Sequence, residues 1–339
     1  MSPASGDTFE IPHPRAAMAL YGHAEAERAF LDAYRGRMPH AWLIGGPRGI
    51  GKATLAYRMA RFVFAHPDPG AAHAATSLAL PADHPAVRRV AAQGHSDLLA
   101  LERTEGDSGK LRSVILVDDV RRTIGFFGST AGEGGWRVCI IDSADELNPA
   151  GANALLKILE EPPEKSLLLV VTHAPGRLLP TIRSRCRRLT LRPLPADAVA
   201  RAVADALGRD AAEPDIKAAA LAADGSVARA IELLGGTALQ VRERVNTLLG
   251  ALPAVDPRGL HALGDALGRD ESALTAFVDA VRDWLSARLI APAEPARLVR
   301  FADVWDKLNR AARETEVFHL ERKPFVFNVF GWLSEASRG

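Results

Sequence analysis

The sequence predicts an α/β sheet domain followed by helical segments alone, and three observations predict it. A glycine-rich turn, Gly46-Pro47-Arg48-Gly49-Ile50-Gly51-Lys52, stands between the apolar run Trp42-Leu43-Ile44 and a helical pattern at Ala56, Met59 and Ala60. From Trp42 to Leu191, short apolar runs alternate with helical stretches, the pattern of a mainly parallel sheet with helices on both faces. Beyond Leu194-Pro195 the strand pattern ends and only helical stripes remain.

In chain order, residues 1–15 read as a flexible tail: the first fourteen hold three prolines, two acids and no apolar segment, matching neither a secretory signal nor a membrane span. Strands are predicted at 42–44, 97–101, 138–141, 167–172 and 188–191. The segment from Ala65 to His95 has weak periodicity and reads as a surface insertion; His66, His73, His84 and His95 in it lack metal-ligand spacing. Asn148 and Pro149 form an N-cap and first-turn pair that opens a helix over 150–160, stopped by Pro162-Pro163. Val199, Val203 and Leu207 make one later stripe, and Ile216, Ala219, Ala220 and Ala223 another before Asp224-Gly225. A third runs through Ala230, Leu233 and Leu234. Longer helices follow, with Leu274, Phe277, Val278, Val281, Leu285 and Leu289 on one face, then Leu298, Phe301, Trp305 and Leu308, then Val326, Val329, Phe330 and Leu333. These stripes predict packed core.

The glycine turn carries the chemistry. Gly46, Gly49 and Gly51 let backbone N–H groups curl around a polyphosphate at a helix N-terminus, where the dipole favours anions, and Lys52 reaches the outer phosphates. Magnesium in such a loop is held by a hydroxyl directly after the lysine, and here that residue is Ala53. Thr54 is rotated about 100° away on the helix. A strand ending at Asp142 supplies the expected metal-orienting carboxylate, but the next position, often a glutamate that polarises water, is Ser143. Asp145 and Glu146 follow on a turn. Thr172 ends the next strand, where its hydroxyl either senses a phosphate or serves as an ordinary strand-end residue. A phosphate-binding loop and a purely structural turn are both compatible with these residues.

Composition narrows the class. The chain of 339 residues has room for two or three domains. A formal charge of +1, from 42 basic and 41 acidic side chains, argues against a chain that grips nucleic acid alone. Cys139 and Cys186 have no metal-ligand spacing, so no zinc is expected, and a reducing, cytoplasmic setting is.

Leu155-Leu156-Lys157-Ile158-Leu159-Glu160-Glu161-Pro162-Pro163, followed by Thr181-Ile182-Arg183-Ser184-Arg185-Cys186, resembles the clamp-loader branch of the AAA+ P-loop NTPase-like proteins, and in particular subunits of the bacterial DNA polymerase III clamp loader. The resemblance runs from Gly22-His23 through the sheet domain and lid; the C-terminal bundle agrees in architecture only. It implies an AAA+ domain over 16–193, a helical lid over 194–236 and an all-α collar over 237–339. Ala53 and Ser143, with Ala228 where hydrolysing subunits carry a sensing arginine and Arg229 one residue out of phase, are more similar to the non-hydrolysing delta-prime class than to gamma/tau. Many members carry a four-cysteine zinc module after the loop helix, which this sequence lacks.

The resemblance further implies that Arg185 acts in trans on ATP bound by a neighbouring gamma/tau subunit, within a DNA polymerase (nucleotidyltransferase) holoenzyme. The implied partners are gamma/tau, delta and, through the assembled complex, the sliding clamp and primed DNA. ATP or ADP is the candidate ligand of Gly46, Gly49, Gly51, Lys52, Thr54, Asp142 and Thr172, without hydrolysis. Two alternatives stay open: a gamma-like ATPase in which Thr54 and Asp145 take over the lost roles, and a scaffold that binds no nucleotide.

Overall fold

A computed structural model describes residues 13–104, 112, 114–128, 132, 135–268, 270–292, 294–318 and 320–338. Most of the expected N-terminal tail lies outside them. The sheet-bearing part runs α1 (Ala24–Arg35), β1 (Ala41–Gly45), α2 (Lys52–Ala65), α3 (Pro85–Ala91), β2 (Leu98–Glu102), α4 (Val117–Gly128), β3 (Arg137–Asp142), α5 (Pro149–Glu160), β4 (Ser166–Thr172), α6 (Pro180–Arg185) and β5 (Arg187–Thr190). The five strands are parallel in the order β2-β3-β4-β1-β5. This agrees with the parallel α/β sheet domain expected from the sequence.

The inner strands β1, β3 and β4 divide their side chains between two cores, as the two-residue pleat requires. Trp42, Ile44, Val138, Ile140, Leu167, Leu169 and Val171 face a cluster built with Phe30, Tyr34, Met59 and Phe62 of α1 and α2. Leu43, Cys139, Ile141, Leu168 and Val170 face Val120, Phe127, Leu155, Ile158, Leu159 and Ile182 of α4, α5 and α6. The central strands β1 and β4 are buried along their whole length, whereas edge strand β5 exposes Arg187, Arg188 and Thr190. Arg187 still covers the ring of buried Trp42, at 4.9 Å from guanidinium carbon to ring centroid.

Strand ends differ from expectation by one residue in all five strands, and helix α5 starts at Pro149, with Asn148 Oδ1 accepting from Gly151 N at 2.7 Å. The segment after α2 departs further. Instead of lying on the surface, it folds into a short 3₁₀ turn at Pro69–Ala72 and helix α3, and buries Ala72, Leu78 and Val90 in the first core. Single apolar residues at irregular spacing anchor it, which a periodicity reading overlooks. Its histidines have local work. The His66 ring stacks on Phe62 and the His95 ring on Phe64, and His84 Nδ1 caps α3 by accepting from Ala86 N at 3.2 Å.

The described residues pack as two compact units, one of 13–213 with 223–228 and one of 214–222 with 229–338. The first includes α7 (Ala196–Leu207). The second comprises α8 (Pro214–Ala222), most of α9 (Val227–Leu234), α10 (Ala238–Gly250), α11 (Pro257–Leu267), α12 (Glu271–Ile290), α13 (Pro295–Val317) and α14 (Arg322–Arg338). The division therefore falls within the stretch that the resemblance groups as a lid. In the second unit Phe277 of α12 packs on Phe325 and Phe330 of α14, and Asp283 accepts from Arg229 at 3.0 Å and Arg242 at 2.6 Å. Along α13 the buried positions are Phe301, Val304, Leu308, Ala312 and Thr315; Trp305, read as core, is only half-buried because Val304 takes the inward position.

Two buried arginines of α2 fasten the chain that precedes the sheet. Arg58 donates twice to Glu27 Oε1, at 2.8 and 2.9 Å, and once to the Met18 carbonyl, while Arg61 donates to the carbonyls of Ala17, at 2.9 Å, and Arg15. Removing one member of such a pair leaves the other charge desolvated. Arg58→Met is expected to lower the unfolding free energy by about 2–4 kcal/mol, read from urea denaturation; an unchanged midpoint would contradict the anchoring role.

Candidate functional site

The sheet register assembles the site. In β1 and β4, Gly45 stands opposite Thr172; in β3 and β4, Asp142 stands opposite Val171, so three strand ends share one carboxyl edge. The loop from 46 to 51 leaves that edge and enters α2 at Lys52. Gly46, Gly49 and Gly51 have φ of 149°, 73° and 97°, a backbone that side chains rarely adopt. At Gly49 the neighbours also forbid one: a Cβ would lie 2.1 Å from Ser226 Oγ and 2.8 Å from Ala228 Cβ. Val227 N donates to the Gly49 carbonyl at 2.9 Å, so residues 226–228 brace the outer side of the loop. Ala228 thus meets the loop with a methyl group, and Arg229 turns instead to Asp283 and Asp279.

Lys52 is buried and its ammonium donates to the Pro47 carbonyl. Burial drives its pKa down to about 8, against the opposing pull of Asp142 and Asp145; Arg48 adds to the fall. Asp142 moves the other way, raised by burial and by Glu102 and Glu146, with Ser143 and Lys52 opposing. Thr54 lies part-buried on α2.

The acids after β3 are already engaged. Asp145 Oδ1 accepts from Thr172 Oγ1 at 2.9 Å and from His173 N at 2.8 Å; burial alone would raise its carboxyl, but these donors bring it below the ordinary value. Thr172 Oγ1 in turn accepts from Ala174 N at 3.2 Å. Glu146 takes Arg48 at 2.8 Å and Arg103 at 2.9 Å. Ser143 Oγ donates to Asp142 Oδ1 at 3.1 Å and meets His173 Nε2 at 2.7 Å. With the serine proton on Asp142, His173 is the Nε2–H tautomer, and its Nδ1 is buried without a partner among the described residues. Burial, aided by Lys52, Arg48 and Arg103 against Asp145, lowers this imidazole to about 4. Among the described residues, no group of three or more His, Cys, Asp and Glu converges as metal ligands.

Arg185 stands apart from the loop, at the end of α6. Ile182 and Cys186 on either side of it are buried in the core shared with α5, and burial pushes the Cys186 thiol up to about 12. Arg185 Nη2 pairs with Glu160 Oε1 at 3.0 Å and Nη1 donates to the Thr181 carbonyl at 3.0 Å, while the side chain keeps 35% of its surface exposed. The structure therefore gathers Gly46, Gly49, Gly51, Lys52, Asp142 and Thr172 along one edge and sets Arg185 on a separate helix end.

The family model described as DNA polymerase III, delta subunit matches residues 25–195, half of the chain. The Escherichia coli K12 DNA polymerase III subunit delta' is 31% identical over 251 residues, 73% of this chain and 69% of that one. The chain belongs to the DNA polymerase III delta subunit family. It is also 40% identical over 176 residues to the Pseudomonas aeruginosa subunit delta', and spans about half the length of that relative, matching over half of its own. The Mycobacterium tuberculosis gamma/tau subunit is 36% identical over 172 residues, 49% of this chain and 26% of that protein. The family match takes in the loop, the end of β3 and all of α6. Among the described residues, no helix is long and apolar enough to cross a membrane.

Sequence reasoning passed over His173, Arg48, Arg103 and Ser226. His173, directly after Thr172 at a strand end, and Arg48, inside the glycine loop, carried a local signal; Arg103 and Ser226 join the site through contacts far apart in sequence. The buried neutral imidazole has a consequence for stability. Between pH 4 and 6.5 the unfolded chain protonates His173 and the folded chain does not, so stability rises with pH across that window. His173→Gln should shrink the loss of urea midpoint between pH 7 and pH 5; an equal loss in both proteins would contradict it.

Proposed function

We propose that this chain is a delta'-type clamp-loader subunit of DNA replication that supplies Arg185 to ATP held by a neighbouring gamma/tau-type subunit and does not hydrolyse ATP itself. The observation that carries this reading is an incomplete hydrolytic site and an exposed, braced arginine in the same sheet domain. Ala53 offers no oxygen to a metal. Ser143 stands where a water-polarising glutamate is expected, and Asp145 and Glu146 are occupied by Thr172, His173, Arg48 and Arg103. Thr54 and Asp145 are accordingly poor replacements for the lost groups.

The glycine cradle and Lys52 still suit a phosphate. ATP or ADP bound there would supply anionic oxygens for the loop N–H groups and Lys52 to hold, and its role would be structural. At the neighbour's ATP, a guanidinium from Arg185 offsets charge that builds on the transferred phosphoryl group. The helical second unit would join the collar of the loader, and the sheet domain would engage a delta subunit. The sliding clamp and primed DNA would be met through the assembled complex, in keeping with the formal charge of +1.

Arg185→Ala tests this directly. In a reconstituted loader, hydrolysis at the site facing Arg185 is expected to slow by a factor on the order of 10³, with assembly intact. Single-turnover kinetics would show the loss of that site's phase, and steady-state turnover would fall by at least its share. Unchanged kinetics would sink the proposal.

A further inference from the structure

Glu160 occupies a place that helix electrostatics disfavours. It is the last residue of α5, where the dipole's negative end repels a carboxylate, and Glu161 follows it. Its partner is Arg185, across 3.0 Å. The two helix ends cannot drift apart, because Ile158 and Leu159 beside Glu160 share one buried cluster with Ile182 and Cys186 around Arg185. A second contact, Arg185 Nη1 to the Thr181 carbonyl, fixes the plane of the guanidinium. Nη1 is thus hydrogen-bonded within the chain and Nη2 is ion-paired to Glu160, on a side chain that stays 35% exposed.

We infer that Glu160 is a positioning residue for Arg185: it holds the guanidinium at the end of α6 with its remaining N–H groups directed to an anionic oxygen on a neighbouring subunit. This rests on the reading that Arg185 acts in trans. A free arginine at a surface samples many rotamers and must be ordered when the neighbour's phosphate arrives; one already braced loses less on engagement. Geometry favours bracing over restraint. The ion pair joins Nη2 to Glu160 Oε1 while over a third of the side chain stays exposed, so a neighbour's phosphate can reach the guanidinium without the pair breaking. Glu160 also subtracts positive field, a cost that the neutral, hydrogen-bonding glutamine separates from its positioning effect.

The test uses the assembled loader, with single-turnover ATP hydrolysis and KM for ATP measured for wild type, Glu160→Gln, Glu160→Ala, Arg185→Ala and the double alanine variant. Glu160→Ala is expected to slow the phase from the site facing Arg185 by about three- to fivefold, the scale on which an exposed ion pair fixes a side chain, without change in KM or assembly. Glu160→Gln should recover most of that rate through its carbonyl oxygen. On the Arg185→Ala background, Glu160→Ala should add nothing. A rate that is unchanged or raised in Glu160→Ala, or one that falls equally with and without Arg185, overturns the positioning role while leaving the trans arginine standing. No effect of Arg185→Ala itself defeats both.

Discussion

The parallel register of β4 between β3 and β1 is the constraint on which the site depends. Because Gly45 stands opposite Thr172 and Asp142 opposite Val171, three strands end along one edge, and whatever follows each of them is brought together. Both faces of these strands are buried, so a slip of one residue would turn each side chain into the wrong core. The loop, the acids after β3 and the polar end of β4 are therefore neighbours by topology before any of them makes a hydrogen bond.

What those neighbours do with one another decides the chemistry. In a hydrolytic loop the carboxylates and hydroxyls stay available to metal and water. Here the acids are engaged by their neighbours: Thr172 and the His173 backbone hold Asp145, Arg48 and Arg103 hold Glu146, and Ser143 links Asp142 to a neutral imidazole whose Nδ1 alone is left without a partner among the described residues. Carboxylates held in this way are not free to turn toward metal or water. The same domain presents Arg185 outward on a short helix whose other side is locked into the core by Ile182 and Cys186. Rigidity at the loop and presentation at the helix end suit a subunit that completes another's site.

Much of this was legible in the sequence because it depends on local patterns. The glycine loop between an apolar run and a helical stripe, the Asn148-Pro149 start of α5 and the inward stripes of α12 and α14 all follow from period and turn chemistry. Arg185 came from a motif. Helix α4 was not singled out, although Val120, Thr123 and Phe127 repeat at helical spacing and are buried. The contacts of Ser143 with His173 and of Arg48 with Glu146 join residues 30 and 98 positions apart, and only the folded sheet brings them together. The burial of Ala72, Leu78 and Val90 was hidden for a related reason: isolated apolar residues have no period, and their fate is set by what packs over them.

The central claim is a division of labour: this chain contributes an arginine to hydrolysis and its own loop contributes none. The most direct measurement is ATP turnover by a loader in which only this chain carries Lys52→Met, which keeps the aliphatic stem and removes the ammonium. Turnover equal to that of the wild-type assembly is the expected result. A fall of the size that follows loss of a working hydrolytic site, with the subunit folded and assembled, would contradict it.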